Sequence, residues 1–535
     1  MIISILITVV IGLIYFYVQL PALNLHSADF YVFVLVLCAV YCGCNLVVTG
    51  FKAAGVKDYF RHLLKKCTVP VLVAAALVVV AFVGSIVGNV FFRAKDYAQL
   101  LPVEAGNFAE EVQEVSWEQI PMLDSNSANT LANKKMGELS DLVSQFEVNS
   151  NSAQINYQDR PVRATYLDYG DVIKWFKNKN EGIPAYLLID MVTQEVTVQR
   201  TETGMKYSPS ELFNRNIYRY LRFCYPTKMF YGVNFEVDEE GTPYWCASVV
   251  KKTIGLFGGT DIEGAVLVNA LTGEHAYYAL GEVPTWVDRV CSASLIMEQY
   301  DYYGLYQGGF WNSMLGQSGC TETTDGYNYI AKDDDVWVYT GITSVSGDES
   351  NLGFILVNQR TKEARYYPCA GANESAGMKS AQGAVQQYSY VATFPILLNI
   401  GGEPTYFMAL KDASQLVKMY AMVNVSQYQI VATGTTVAEC QTNYADLMIK
   451  NGITEVAPEP EVATKAASGS IAEIRSSVMD GDTWYFIRLE NQKVYYLING
   501  REYPLATILN VGDNVTITYE VSEGELLTGV SLERR

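Results

Sequence analysis

Three apolar stretches crowd the first 92 residues, at 2–23, 30–50 and 69–92, and no other feature constrains the chain as hard. The hydrocarbon core of a bilayer takes about 20 residues of helix at a rise of about 1.5 Å each, and each stretch is long enough. No Lys or Arg precedes Lys52, while Lys52, Lys57, Arg61, Lys65 and Lys66 all fall between the second and third stretches. The positive-inside rule assigns that segment to the cytoplasm. The expected topology is a multi-pass protein of the plasma membrane with a cytoplasmic N-terminus. The short loop around His26 and Asp29, and everything after residue 92, then lie outside. Arg93 and Lys95 oppose this assignment but are outnumbered. The first stretch lacks the basic region and small-residue cleavage site of a signal peptide, so it reads as retained. Segment 51–67 (FKAAGVKDYFRHLLKKC) alternates apolar and basic positions at helical spacing. It fits either a short helix lying on anionic lipid or an ordinary cytoplasmic loop.

Charge divides at the same place. Residues 1–95 hold seven basic and two acidic groups, so the rest of this −19 chain carries −24. So acidic a body argues against nucleic acid as a partner, because phosphate binding draws on Lys and Arg. Membrane lipids and other envelope proteins are the expected partners. Of ten cysteines, Cys38, Cys42, Cys44 and Cys67 sit in or beside the apolar stretches. Cys224, Cys246, Cys291, Cys320, Cys369 and Cys440 lie in the expected exterior, where up to three disulfides or buried free thiols are both open.

The exterior divides by composition. Segment 96–160 reads as a polar helical stalk, acidic over 108–117 and with helical spacing over 131–146. From 161 to 452, strands alternate with capped helices. Ser208-Pro209-Ser210-Glu211 has the form of a capping box with proline at the first helical position, and Thr436 with Glu439 repeats the device. The second helix would place Val437, Cys440, Tyr444 and Leu447 on one face and stop at Asn451-Gly452.

An internal repeat runs through this region. Asp190, Thr193 and Glu195 occur in YLLIDMVTQEVTV, Asn269, Thr272 and Glu274 in VLVNALTGEHAYY, and Asn358, Thr361 and Glu363 in ILVNQRTKEARYY. The internal spacing is the same in all three, and the copies lie 79 and 89 residues apart. A decayed fourth copy runs through VNVSQYQIV at Asn424. Each copy is a strand, a turn opened by an Asn or Asp side chain bonding its own backbone, and a return strand. The pattern, VLVNALTGE above all, resembles the PepSY family of small helix-plus-sheet modules. That resemblance implies repeated α+β modules outside a bacterial membrane that bind or restrain other proteins without chemistry of their own.

Residues 453–468 have the Pro, Glu, Ala and Thr content of a linker. Five strand patterns follow in 469–535, with turn signals at Asp480-Gly481 and Asn499-Gly500. The phrase LNVGDNVTITYE resembles the fourth-strand entrance of OB-fold barrels. That family often binds oligonucleotides, but the acidic surplus favours protein or glycan contact, or a structural cap. The expected fold class is therefore three transmembrane helices, an α+β repeat ectodomain and a C-terminal all-β barrel.

Catalytic motifs do not stand out. His275 is the one histidine of the exterior, and as a hairpin residue it fits a surface or cross-strand role. No GxSxG, HExxH, CxxC or GxxxxGK occurs, so no catalytic residue, metal or cofactor is assigned. Asp124-Ser125-Asn126 starts like a calcium loop but fails at Asn129 and Lys135. Asp333-Asp334-Asp335 reads as an exposed acidic turn before a strand, or a cation site. The candidate contact surface is the aromatic run Tyr300, Tyr302, Tyr303, Tyr306, Phe310 and Trp311. Gly304, Gly308 and Gly309 interrupt it, so it suits a loop presenting flat rings to sugar or peptide. The expected function is a membrane-anchored extracytoplasmic binding or scaffold protein of a bacterial envelope assembly. An envelope hydrolase of wall glycan or peptide, and an accessory subunit of a transporter or secretion system, are the alternatives.

Overall fold

The computed structural model describes residues 2–50, 56–114, 120–332, 334–346, 350–453, 464–479, 482–501, 503–520 and 526–534. They form two compact units, Met1–Leu447 and Met448–Arg535.

Three N-terminal helices, α1 (Ile2–Gln19), α2 (Ala28–Gly50) and α3 (Val56–Val87), are long and apolar enough to cross a membrane. The described part of segment 51–67 forms the first turns of α3 rather than a separate helix. The third apolar stretch ends at Val87, five residues before the expected limit, and α4 (Val90–Tyr97) starts afresh. Asn89 caps α4 by accepting a bond from the Phe91 N–H at 2.9 Å. The break has a packing cause. A Cβ on Gly84 would lie 2.6 Å from the Leu256 side chain, and one on Gly88 would lie 3.0 Å from the Ile254 carbonyl. Both glycines therefore admit the tip of a β-hairpin, residues 254–258, against the end of α3.

Four helix-plus-sheet modules make up the rest of the first unit. In each, a helix precedes a sheet that is antiparallel throughout, save for one parallel edge strand in the third. Helix Ser125–Gly137 leads into strands from Phe146–Val148 to Val196–Met205, and Ile217–Cys224 leads into Met229–Val237 through His275–Ala279. Ala293–Tyr306 leads into the sheet spanning Thr321–Thr323 to Ala364–Ala372, and Glu374–Ala384 into Val391–Ala392 through Val431–Gly434. Strands Pro243–Ile254, Asp335–Ser344 and Glu403–Lys411 are central strands whose rings fill the core: Trp245, Tyr339 and Tyr406 are fully buried. The fourth module comes back to the first, where Lys411 Nζ meets Asp124 Oδ2 at 2.7 Å and Gln194 Nε2 reaches the Tyr420 hydroxyl at 3.5 Å.

Segment 96–160 is not a stalk. Its strand Val103–Ala105 joins the third sheet in parallel with Ala364–Ala372, and Phe146–Val148 and Ala153–Tyr157 belong to the first. The expected helix over 131–146 runs instead from Ser125 to Gly137, because Asp124 caps it by accepting from the Ser127 N–H at 2.9 Å. The Ser208–Glu211 box starts no helix. Its serine does accept from the Glu211 N–H, at 3.2 Å, but the Glu211 carboxylate is buried and taken by the Tyr169 hydroxyl (2.7 Å) and the Trp175 indole (2.8 Å). The helix begins at Ile217 under Asn216. The Thr436 cap forms as expected, with Cys440 and Tyr444 buried on the inner face of Val437–Lys450. All ten cysteines are free thiols.

In the second unit, strands Thr464–Met479, Asp482–Leu489, Tyr495–Asn499, Asn514–Glu520 and Leu526–Arg534 follow the five sequence patterns. The first strand starts inside the expected linker, whose residues 454–463 lie outside the described set, as do Asp480 and Gly481. The third strand pairs with the second and, in parallel, with the fifth, while the fourth pairs with the fifth and the first. Asn499-Gly500 is therefore no hairpin; it leads into a 3-10 turn, Pro504–Ile508.

Candidate functional site

The repeat proves to be turn chemistry carried out three times. Asp190 Oδ1 accepts from the Val192 and Thr193 N–H groups at 2.9 and 2.8 Å, Asn269 Oδ1 from Leu271 and Thr272 at 2.9 and 3.0 Å, and Asn358 Oδ1 from Arg360 and Thr361 at 2.8 and 2.9 Å. Each Thr hydroxyl then accepts from the N–H of Glu195, Glu274 or Glu363. The residue between Thr and Glu takes a left-handed conformation in every copy: Gln194 at φ 64°, Gly273 at 79° and Lys362 at 67°. One oxygen of each Asn/Asp side chain and each Thr hydroxyl is used inside the turn, so their spacing serves the hairpin. At Asn424 the fourth copy keeps one such bond, from Gln427 N–H at 2.8 Å.

The aromatic run is not a loop. Tyr300, Tyr302, Tyr303 and Tyr306 lie on helix Ala293–Tyr306, and Gly304 sits inside it because a Cβ there would approach the Thr321 carbonyl to 2.2 Å. Tyr300 is buried in the core, and Tyr303 packs half-buried against it at 5.6 Å between ring centres. Tyr302 stands edge-on to Tyr97 of α4 at 4.8 Å and stacks on Tyr306 at 6.0 Å. Phe310 and Trp311 close on Phe91, at 5.0 and 5.6 Å. The run thus grips the stem below α3, and its outward remnant is apolar: Trp311 is 63% and Leu315 79% exposed.

The same face continues around the helix ends. Arg219 Nε donates to the Tyr17 carbonyl at 3.2 Å and Arg222 Nε to the Leu20 carbonyl at 2.9 Å, so two guanidinium groups meet the carbonyls that the end of α1 leaves unpaired. Phe223 packs on Phe16 at 5.5 Å. His26 bonds the Leu256 carbonyl through Nδ1 at 2.9 Å, and Phe257 meets Tyr31 at 5.3 Å. The apolar hairpin tip 254–258 was the signal missed in the sequence: IGLFG at a turn, where polar residues are the rule. His275, by contrast, sits at a strand edge with Nδ1 against the Tyr225 hydroxyl at 2.9 Å.

Where the modules converge, two adjoining clefts of ≈ 420 and ≈ 440 Å³ open. The first is walled by Asn156, Asp159 and Asp334, by Lys332 and by 396–399. The second is lined by Asp124, Ser152, Arg163, Arg289, Tyr327 and Tyr329, with Met122, Met191, Phe394 and Ile396 as its apolar side. Five buried polar atoms without a hydrogen-bond partner among the described residues cluster here: Gln154 Oε1, Arg163 Nε, Glu236 Oε2, Arg289 Nε and Asn399 Oδ1. Beneath the floor, Glu236 Oε1 accepts from the Arg289 N–H at 3.1 Å and Asp288 Oδ2 from the Asn156 N–H at 2.6 Å. Burial pushes both carboxyls well above the ordinary carboxylate range.

Asp334 is an exposed turn residue just before strand Asp335–Ser344, as the sequence suggested, whereas Asp335 is buried as the first residue of that strand; Asp333 lies outside the described residues. Asp334 accepts from Asn156 Nδ2 at 2.6 Å. Asp335 is buried, with Arg360 bidentate at 2.6 and 2.7 Å and Asn358 Nδ2 at 2.7 Å. Among the described residues, no group of three or more His, Cys, Asp or Glu is placed to hold a metal.

No family model matches this chain, and no curated protein matches it. Among solved structures, the chain is similar to a levansucrase from Bacillus subtilis (mutant S164A) at 8% identity and a TM-score of 0.14, covering 82% of this chain and 94% of that one. A likeness of that score carries no argument about fold or activity.

Proposed function

We propose that the three helices span the plasma membrane, that the four modules stand outside it, and that the protein acts there as a binding or scaffold component of a larger envelope assembly. The observation that carries this reading is the seat between body and helices. The end of α1, the loop after it and the end of α3 all meet the body through Arg219, Arg222, His26 and the 254–258 tip. These contacts fall at one end of the helices, and Lys57, Arg61, Lys65 and Lys66 fall in the first turns of α3, toward the other end of a helix about 48 Å long. Exposed Phe92, Trp311, Met314 and Leu315 ring the junction, where aromatic and apolar groups suit the headgroup layer. A body seated this firmly presents its clefts at a fixed height above the lipid. The PepSY-like modules and the OB-like terminal unit, which the resemblances imply, both suit partner binding.

The test is in-cell crosslinking followed by purification through a C-terminal tag and mass spectrometry. A stoichiometric protein partner is the expected outcome; recovery of the chain alone, with no crosslinked species, overturns the scaffold reading. Cysteine accessibility at 57 and at 314 in intact cells fixes the orientation, with labelling expected at 314 alone.

A further inference from the structure

We infer that the ≈ 440 Å³ cleft binds an oxyanion, carboxylate or phosphate, carried on an apolar body, with Arg163 and Arg289 as its charge partners. The inference deepens the binding reading above and rests on it. Arg163 is 8% exposed; among the described residues its Nε has no partner, and its Nη1 has only the Ser152 hydroxyl at 3.4 Å. Arg289 leaves its own Nε unpaired and directs Nη2 to the Tyr329 hydroxyl at 3.1 Å. Among the described residues, neither guanidinium has a carboxylate within ion-pair distance. The acid in the cleft, Asp124, is already neutralised by Lys411.

A buried cation without an ion-paired partner is among the costliest groups to fold, and the half-buried Arg289 guanidinium beside Arg163 adds to that cost. Shortage of acids does not explain it, since the chain has 57 Asp and Glu against 38 Lys and Arg. Burial first, and then the neighbouring Arg289, pull the Arg163 guanidinium down to about 10, which still leaves it charged at neutral pH. Two guanidinium forks beside a tyrosine hydroxyl match the planar, multidentate demands of carboxylate and phosphate. The opposite wall is apolar, from Met122, Met191, Phe394 and Ile396, so the ligand's uncharged part has a place to lie. The volume falls in the range of small-molecule sites.

The experiment uses the full chain in an uncharged maltoside detergent, titrated calorimetrically with benzoate, phenyl phosphate and the neutral analogue phenol. At least one anion is expected to bind at least tenfold more tightly than phenol, and which anion wins separates the two oxyanion chemistries. Arg163→Met and Arg289→Gln should each lose tenfold or more for the anion while leaving phenol unchanged. Hydrogen exchange along strand Arg160–Tyr169 verifies that the variants are folded. Equal binding of phenol and the anions, no anion binding to the parent protein, or full retention in both variants overturns the inference. A partner recovered by crosslinking from a protein that binds no anion leaves the scaffold reading standing and removes only this one.

Discussion

Two sets of buried charge lie at the junction of the modules, and they are handled in opposite ways. At the third hairpin, Asp335 is closed: both its oxygens are held by Arg360, and Asn358 adds a third bond. At the cleft, Arg163, Arg289 and Glu236 are open, each with a buried polar atom that no described residue satisfies. The closed set resembles every other solved polar problem in this body, such as Glu211 between Tyr169 and Trp175. The difference teaches where residue identity serves the fold and where stability is given up for something outside it.

Breaking the closed set should have the largest effect. Asp335→Asn keeps the shape but strands the Arg360 guanidinium, at an expected cost of about 3–5 kcal/mol, read as loss of melting temperature and of hydrogen-exchange protection across the Asn358–Glu363 turn. A change under about 1 kcal/mol would erase the distinction between the two sets. The open set should respond with the reverse sign. Arg163→Met removes a desolvated charge from the cleft and should stabilise the first unit by about 1–4 kcal/mol; a destabilised variant would mean the guanidinium is satisfied in solution.

The floor of the cleft adds a pH dependence. Glu236 has a folded-state pKa raised by burial above its ordinary 4.5. At pH values between these two, the folded protein holds a proton that the unfolded chain has released. Stability is therefore full below the ordinary carboxylate range and falls as pH rises through it, by about 1.4 kcal/mol for each unit of the raise. Glu236→Gln should flatten this decline, and an unchanged stability profile between pH 4 and pH 8 would show that the carboxyl is not buried as described.

The contrast also separates what was legible in the sequence from what was not. The hairpins could be read because Asn358, Thr361 and Glu363 act within six residues, and the five C-terminal strands because alternation is local. The aromatic run was visible as a cluster but was misjudged as loop, since Gly304 in a helix is explained only by the Thr321 strand that it touches. Segment 96–160 failed for the same reason: Val103–Ala105 is a strand only because Ala364–Ala372 offers it an edge. The cleft was illegible altogether. Arg163 lies mid-strand and Arg289 in a connection, 126 residues apart in the chain, and no spacing rule joins them.

The smallest expected effect tests the closed side at its turns. Gln194 and Lys362 hold left-handed backbone that glycine adopts without strain. Gln194→Gly should stabilise by about 1 kcal/mol, because its side chain makes only the long bond to Tyr420. Lys362→Gly relieves the same strain but removes an ammonium that bonds the Leu100 carbonyl at 2.7 Å and pairs with Asp261. Its net change should be destabilising. Thermal unfolding of the two variants side by side decides whether the third turn, unlike the first, has its backbone strain held in place by a side chain reaching into the neighbouring module. Equal gains in both would mean that Lys362 is as dispensable as Gln194 and that the closed set ends at Arg360.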